Sequence, residues 1–233
     1  PIMSLGGGSG QAHYTFTGVN TVEQGLESVV GGNIHEMDLL RVTSESTDPR
    51  VVFMSGFGGI DALMCALRKG RGYPGYIPAS LKALFRHEPQ TVHLKSDYVV
   101  NPETGAEGTL DWEFRDVNVC LANTNPYWGK WSQMVPHARH TQGLAGFSVY
   151  CGQNRRQLVG EFLRSHLGKV RPTHQFLAKH VEVDIRTPNN PGPIQLNGSD
   201  INNGERNFTV DVLPGRAHLY TLLSPEKLAL TSR

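Results

Sequence analysis

Val51–Val52–Phe53–Met54, then Ser55–Gly56–Phe57–Gly58–Gly59, then Ile60–Asp61–Ala62–Leu63–Met64–Cys65–Ala66–Leu67 is the stretch that decides the fold. Four apolar residues, two of them β-branched, predict a buried strand. The glycine cluster predicts a sharp turn, and the Ala-, Leu- and Met-rich run predicts a helix. That turn delivers Asp61 to the start of the helix. A carboxylate there is stabilised by the helix dipole and by backbone N–H groups without intrahelical acceptors, so it can stay ionised and accept hydrogen bonds from a ligand. The same placement suits a helix-capping Asp with no ligand at all, and at this point both readings stand.

N-terminal to this stretch, Ser44–Glu45–Ser46–Thr47–Asp48–Pro49 predicts a hairpin turn, preceded by a strand over Ile34–Val42. Thr21–Val30 predicts a short helix capped by Thr21 and ended by Gly31–Gly32, with Val22, Leu26, Val29 and Val30 on its inward side. At the front, Ile2–Met3–Ser4–Leu5 and Gly6–Gly7–Gly8–Ser9–Gly10 repeat the strand-to-glycine pattern, and Gln11–Ala12–His13–Tyr14 could begin a helical turn. Such a loop lets backbone N–H groups approach phosphate oxygens. It lacks the Gly–Lys–Ser/Thr of a Walker loop, and Gln11 stands where a dinucleotide fingerprint needs its third glycine. A plain flexible turn fits it equally.

On the C-terminal side, Gly70–Gly75 reads as an exposed loop and Ile77–His87 as a helix with Leu81, Leu84 and Phe85 inward and Lys82 and Arg86 outward. Short alternating runs follow at Thr91–Lys95, Thr109–Arg115, Val117–Ala122 and Phe147–Tyr150, the pattern of antiparallel strands in a sandwich or barrel. Asn125–Trp131 carries three aromatics on a loop, suited to a ligand rim or to packing beneath it. Asn154–Leu167 reads as a helix with Leu158, Phe162 and Leu163 inward. Strands follow at Phe176–Ile185, Ile194–Leu196, Phe208–Leu213 and Ala217–Leu222, with Pro188, Pro191 and Pro193 keeping one connection irregular.

At 233 residues, 38% apolar and 18% charged, the chain can form one large domain, or one domain and part of another. A net charge of +1 argues against general nucleic-acid binding. No run approaches a membrane span, so any membrane contact is expected to be peripheral. Cys65, Cys120 and Cys151 are too few and too scattered for a disulfide framework, which points to a reducing compartment. His137–Ala138–Arg139–His140 lacks zinc-ligand spacing. The chain opens on Pro1 directly into an apolar–glycine pattern and is expected to continue something longer.

Taken together, ordered fragments along nearly the whole chain resemble the lipid kinases of the diacylglycerol kinase, sphingosine kinase and bacterial lipid-kinase group. They are Gly8–Ser9–Gly10–Gln11–Ala12, Met37–Asp38–Leu39, Ser55–Gly56–Phe57–Gly58–Gly59–Ile60–Asp61–Ala62 and Leu81–Lys82–Ala83–Leu84–Phe85. They continue with Ala122–Asn123, Tyr127–Trp128–Gly129, Pro136–His137–Ala138, Gln142–Gly143–Leu144, Ile194–Gln195–Leu196–Asn197–Gly198 and Val212–Leu213–Pro214–Gly215–Arg216–Ala217.

The resemblance implies an α+β, mainly β fold: an antiparallel β-sandwich with packed helices, preceded by the tail of an α/β nucleotide-binding domain. Residues 1–32 would end that nucleotide domain, 33–223 would form the lipid-binding sandwich and 224–233 a tail. Gly8, Ser9 and Gly10 would edge the nucleotide site, and Asp61 would meet the lipid headgroup. The implied chemistry is transfer of the γ-phosphoryl of ATP, with Mg²⁺, to a lipid hydroxyl.

Three departures bear on activity. An Asp–Gly–Glu-like triplet of the family reads Asn197–Gly198–Ser199, an Asp–Asp–Gly-like stretch linked to metal binding reads Thr141–Gln142–Gly143, and Gln11 replaces an Asn. An amide at Asn197 can orient a hydroxyl but cannot take its proton, leaving Asp200 or Glu205 to substitute. The expected partner is a lipid or a peripheral membrane surface in an intracellular compartment, cytoplasmic or organellar. The alternative is a catalytically inactive scaffold subunit with protein assembly partners.

Overall fold

The computed structural model describes residues 17–46, 48–57, 59–68, 76–128, 132–139, 142–186, 194–201 and 204–224. Strand β1 (Ile34–Ser44) lies between β2 (Arg50–Val52) and β13 (Asn207–Tyr220). The run continues from β13 through β10 (His180–Ile185) to β4 (Gln90–Val100). A second run joins β12 (Ser199–Ile201), β11 (Ile194–Leu196), β3 (Met54–Phe57), β5 (Glu107–Asn123), β8 (Ala145–Cys151) and β9 (His174–Ala178). These pairings are antiparallel, as expected for a mainly β, α+β chain. A two-stranded ribbon, β6 (Tyr127–Trp128) with β7 (Ser132–Gln133), lies apart.

The long β5 belongs to both runs. Its first half pairs with β4, and its second half lies between β3 and β8. It changes allegiance at Asp116, whose left-handed φ of 52° is held by Gly152 N–H and Asn118 Nδ2 donating to its carbonyl. The two runs enclose one apolar core that includes Leu40, Phe57, Leu94, Phe114, Phe147 and Phe176. Phe57 of one run meets Phe208 of the other at 5.6 Å between ring centroids.

Several strand limits differ from the sequence reading. Val51–Met54 is not one buried strand: Val51 is exposed, and the chain breaks at Phe53, leaving β2 on β1 and β3 on β5. Ser55–Phe57 is ladder rather than turn, because Gly56 pairs with Leu121 on one side and Gln195 on the other. Thr109–Arg115 and Val117–Ala122 fuse into β5, while Phe208–Leu213 and Ala217–Leu222 fuse into β13, which ends at Tyr220. Conversely, Phe176–Ile185 divides at Lys179 into β9 and β10.

Helix α1 (Val22–Gly31) has the foreseen Thr21 cap, a capping box with Gln24 and a left-handed Gly32 at its end. Helix α2 is Ile60–Arg68, α3 is Tyr76–Arg86, and α4 (Arg155–Ser165) is capped by Asn154 with Gln157. The inward faces are the larger correction. α1 buries Gly25 and Ser28, α3 buries Ala79 and Ala83, and α4 buries Glu161 and Ser165. Val22, Leu26, Val29 and Val30 are exposed, as are Leu81, Phe85, Phe162 and Leu163, with Leu84 and Leu158 half-buried. Small side chains let a helix backbone settle close to what lies beneath it. Glu161 tolerates burial because Arg164 Nη1 and the Arg171 N–H donate to it. No helix of the described residues is long and apolar enough to cross a membrane.

Candidate functional site

The β3–α2 turn sets Asp61 in the first turn of α2, where the carboxylate points into the molecule rather than outward. A side chain on either Gly56 or Gly59 would collide with it. Asp61 is 7% exposed, and neither carboxylate oxygen makes a hydrogen bond of ordinary geometry. Burial raises its pKa to about 7, opposed by the nearby N–H groups of Ala62 and Asp61 and by the Gln195 side chain. Near neutral pH the protonated form is therefore well populated, whereas helix-dipole reasoning alone lets the carboxylate stay ionised. Desolvation outweighs the dipole.

Gln195 is fully buried and pairs with Gly56 across β11–β3, while Asp200 pairs with Gln195 across β11–β12. Helix α2 packs on both of those short strands. Asp61, Gln195 and the backbone of Asp200 thus meet at one end of the sheet, and Asn197 lies in the same hairpin. This convergence brings together the predicted site positions of the second half of the chain and Asp61 of the first.

Asn197 lies in a tight turn. With φ of 52° at Asn197 and 77° at Gly198, the pair closes a two-residue hairpin between β11 and β12. Asn197 Oδ1 accepts the Phe53 N–H at 2.9 Å, with the Met54 N–H at 3.4 Å, and Gly198 N–H donates to Gln195 Oε1 at 2.7 Å. The Asn–Gly pair between two short runs was the available signal. Asp200, the first substitute acid, lies in strand β12. Glu205, the other substitute acid, accepts a hydrogen bond from Ser46 Oγ. Gly8, Ser9 and Gly10 lie outside the described residues, as do Gln11 and Thr141.

A second convergence went unread in the sequence. Asp38 sits at a bulge in β1 and is 2% exposed. Its Oδ2 accepts the Gly143 N–H at 2.6 Å and its Oδ1 the Gly215 N–H at 2.9 Å. Three separate fragments of the resemblance are tied together by this one carboxylate. Among the described residues there is no group of three or more His, Cys, Asp or Glu side chains placed to hold a metal ion.

A cleft of about 610 Å³ opens between α3, α4 and the start of α2. Ile60, Leu84, Pro89 and Leu158 supply its apolar wall, and His87, Asn118, Gln153, Arg155 and Arg156 its polar one. Burial depresses the His87 pKa to about 4, so its ring is neutral, although the Val117 backbone favours the charged form. Asp61 does not line the cleft. Its neighbour Ile60 does, as does Asn118, whose carbonyl would lie 3.0 Å from a Cβ on Gly59.

No protein-family model matches the chain, and no curated protein matches it. Solved structures match it in shape. One, described as a candidate diacylglycerol kinase from Bacillus anthracis str. Sterne, has a TM-score of 0.64 at 14% identity, covering 94% of this chain and 66% of that one. Another so described gives 0.61 at 12%, covering 91% and 63%. A third, a diacylglycerol kinase from the same organism, gives 0.53 at 10%, covering 88% and 60%. The chain thus spans no more than about two thirds of the length of these structures. At such identities the likeness concerns architecture: this chain has a fold like that of part of a diacylglycerol kinase.

Proposed function

We propose that this chain is the lipid-binding half of a diacylglycerol- or sphingosine-kinase-like protein that transfers the γ-phosphoryl of ATP to a lipid hydroxyl. The observation that carries the reading is the meeting of the Asp61 turn with the Gln195–Asp200 hairpin, on a sheet shaped like part of a diacylglycerol kinase. In this reading residues 33–223 hold the lipid, and Gly8, Ser9 and Gly10 edge the nucleotide. The lipid hydroxyl oxygen attacks the γ-phosphorus, the bond to the β–γ bridging oxygen breaks, and ADP leaves with that electron pair. Asp61 meets the headgroup, and a carboxyl with a pKa of about 7 is matched to exchanging the hydroxyl proton at neutral pH. Asn197 and Asp200 stand beside the transferred group. ATP and Mg²⁺ enter through the resemblance, the metal being expected to neutralise charge on the phosphates.

One observation favours the second reading, an inactive scaffold subunit of a larger assembly. The Asn197 amide oxygen, at the position of a family acid, is already engaged by the backbone of Phe53 and Met54.

Both readings meet one experiment. The full-length protein is incubated with γ-labelled ATP and diacylglycerol, sphingosine or ceramide. The kinase reading expects labelled lipid, and at least about a hundredfold less with Asp61→Ala. Activity indifferent to Asp61→Ala removes the Asp61 assignment, and a folded protein that labels none of the three lipids supports the scaffold.

A further inference from the structure

Successive side chains of a strand point to opposite faces, and in β11 Ile194 and Leu196 enter the apolar core, so Gln195 points the other way, toward helix α2. Across the ladder Gln195, Gly56 and Leu121 form one row on that face. Leu121 is apolar and Gly56 has no side chain, which leaves the amide as the polar member of a row that a helix covers. It is fully buried there.

The two ends of this amide meet different surroundings. Gln195 Oε1 accepts the Gly198 N–H at 2.7 Å, and that donor fixes which end is the oxygen. Gln195 Nε2, which carries two donor hydrogens, is buried without a hydrogen bond of ordinary geometry. Both oxygens of Asp61 are in the same condition. The missing side chain of Gly56 lets the two groups share one hollow, because a Cβ there would lie 1.9 Å from Asp61 Oδ2 and 3.1 Å from Gln195 Cγ. An unmatched donor and an unmatched acceptor in one dry hollow are half-made partners, and the amide favours the ionised carboxylate. The titratable group that interacts with Asp61 from β5 is Cys120, whose thiol is pushed up by burial and stays neutral. On α2 itself Cys65 follows one turn later.

We propose that Gln195 is the positioning residue of Asp61: the Asn197–Gly198 turn clamps its oxygen, and the clamped amide presents Nε2 to the carboxylate. Closure of the hairpin thereby sets the protonation of an acid carried on a helix from a different part of the chain. The consequence for phosphoryl transfer rests on the kinase reading given above. In that reading the ionised Asp61 held by Gln195 takes the hydroxyl proton, and a loosened turn returns the acid to its protonated form.

The test follows the Asp61 carboxyl carbon by NMR in the full-length protein with isotope-labelled aspartate, without nucleotide or lipid, the signal being identified by its loss in Asp61→Asn. In Gln195→Met, which keeps the length and loses both hydrogen-bonding ends, Asp61 should hold its proton about tenfold more tightly. Gln195→Glu keeps an oxygen for Gly198 but replaces the donor with a second acid, and should tighten the proton at least as much. Leu196→Ala loosens the same strand from its core side and should change the proton affinity less than about twofold. In the wild type the Gln195 side-chain amide signals should move with the same midpoint as Asp61, a measurement that needs no variant to fold. An unmoved midpoint in folded Gln195→Met, an equal movement in Leu196→Ala, or Gln195 amide signals indifferent to that titration would overturn the proposal. The kinase reading fails differently: a moved midpoint in a protein that labels no lipid upholds the role of Gln195 and removes the transfer to lipid.

Discussion

Asp61 occupies the space that a side chain on Gly56 would need: a Cβ there would lie 1.9 Å from Asp61 Oδ2. The ladder position next to Gln195 is glycine because the carboxylate of the following helix reaches back across it. Gly56→Ala should destabilise the protein by about 2 to 3 kcal/mol through overpacking. In an Asp61→Ala background the same change should cost less than about 1 kcal/mol, since Gln195 Cγ at 3.1 Å can yield. Urea unfolding of the four proteins of this cycle reads the coupling, and additive losses would mean that the two residues do not share this space.

The Asp61 carboxyl has an ordinary pKa of 3.8, raised to about 7 in the folded chain. Between those values the folded state keeps its proton while the unfolded state loses one, so this group's contribution is full below about pH 4, declines as pH rises and is level above about 7. Asp61→Asn should remove that slope, gaining on the wild type by up to about 4 kcal/mol between pH 4 and 7. His87 acts oppositely: its pKa falls from 6.5 to about 4, so its contribution is lost as pH drops through that interval. Comparison with Asp61→Asn cancels it. Parallel stability curves for the two proteins would show that Asp61 titrates normally.

At Asn197 the left-handed backbone and the acceptor role can be separated. Asn197→Gly keeps the conformation and loses the acceptor for Phe53 N–H, at about 1 kcal/mol. Asn197→Ala loses both, at about 2 to 3 kcal/mol. Asn197→Asp keeps both and should be close to neutral. Denaturant midpoints ranked in another order would contradict this account of the hairpin.

Asp38 anchors the Gly143 and Gly215 segments from the β1 bulge. Asp38→Ala strands two N–H groups and should cost about 3 kcal/mol or more, given the strength of hydrogen bonds to a charged acceptor. Asp38→Asn should cost roughly half as much, because one acceptor oxygen survives. Hydrogen exchange at the Gly143 and Gly215 amides should accelerate in step, and unchanged exchange would refute the junction.

The exposed helix faces give a converse expectation. Phe85→Ser and Leu163→Ser should shift stability by no more than about 0.5 kcal/mol. Had these side chains formed the core, as their periodicity suggests, each loss would be several kcal/mol. Thermal unfolding distinguishes the two.

Much of the site was legible only in pieces. The glycine turn and Asp61 announced themselves, but the depth of Asp61 did not, because it depends on Gln195 arriving from a distant strand. Periodicity found the apolar stripes of α1, α3 and α4 and assigned them to the interior, since a stripe shows that a face is apolar and not what lies against it. Glycine, alanine and serine on the opposite faces carry little hydrophobic signal, yet their lack of bulk let those faces settle inward.

By itself the sequence determined the kinds of element, their order and several of their ends. Those properties arise within a few residues: Thr21 and Asn154 cap the helices they precede, Gly32 accepts a left-handed turn, and alternating runs make strands. Only the tertiary structure decided that β5 serves both strand runs, that Asn197 holds the Phe53 break, that Asp38 joins three segments and that Asp61 lies buried. Each of these depends on groups brought together from far along the chain, where burial and hydrogen bonding are set by the partner that arrives rather than by the neighbouring residues.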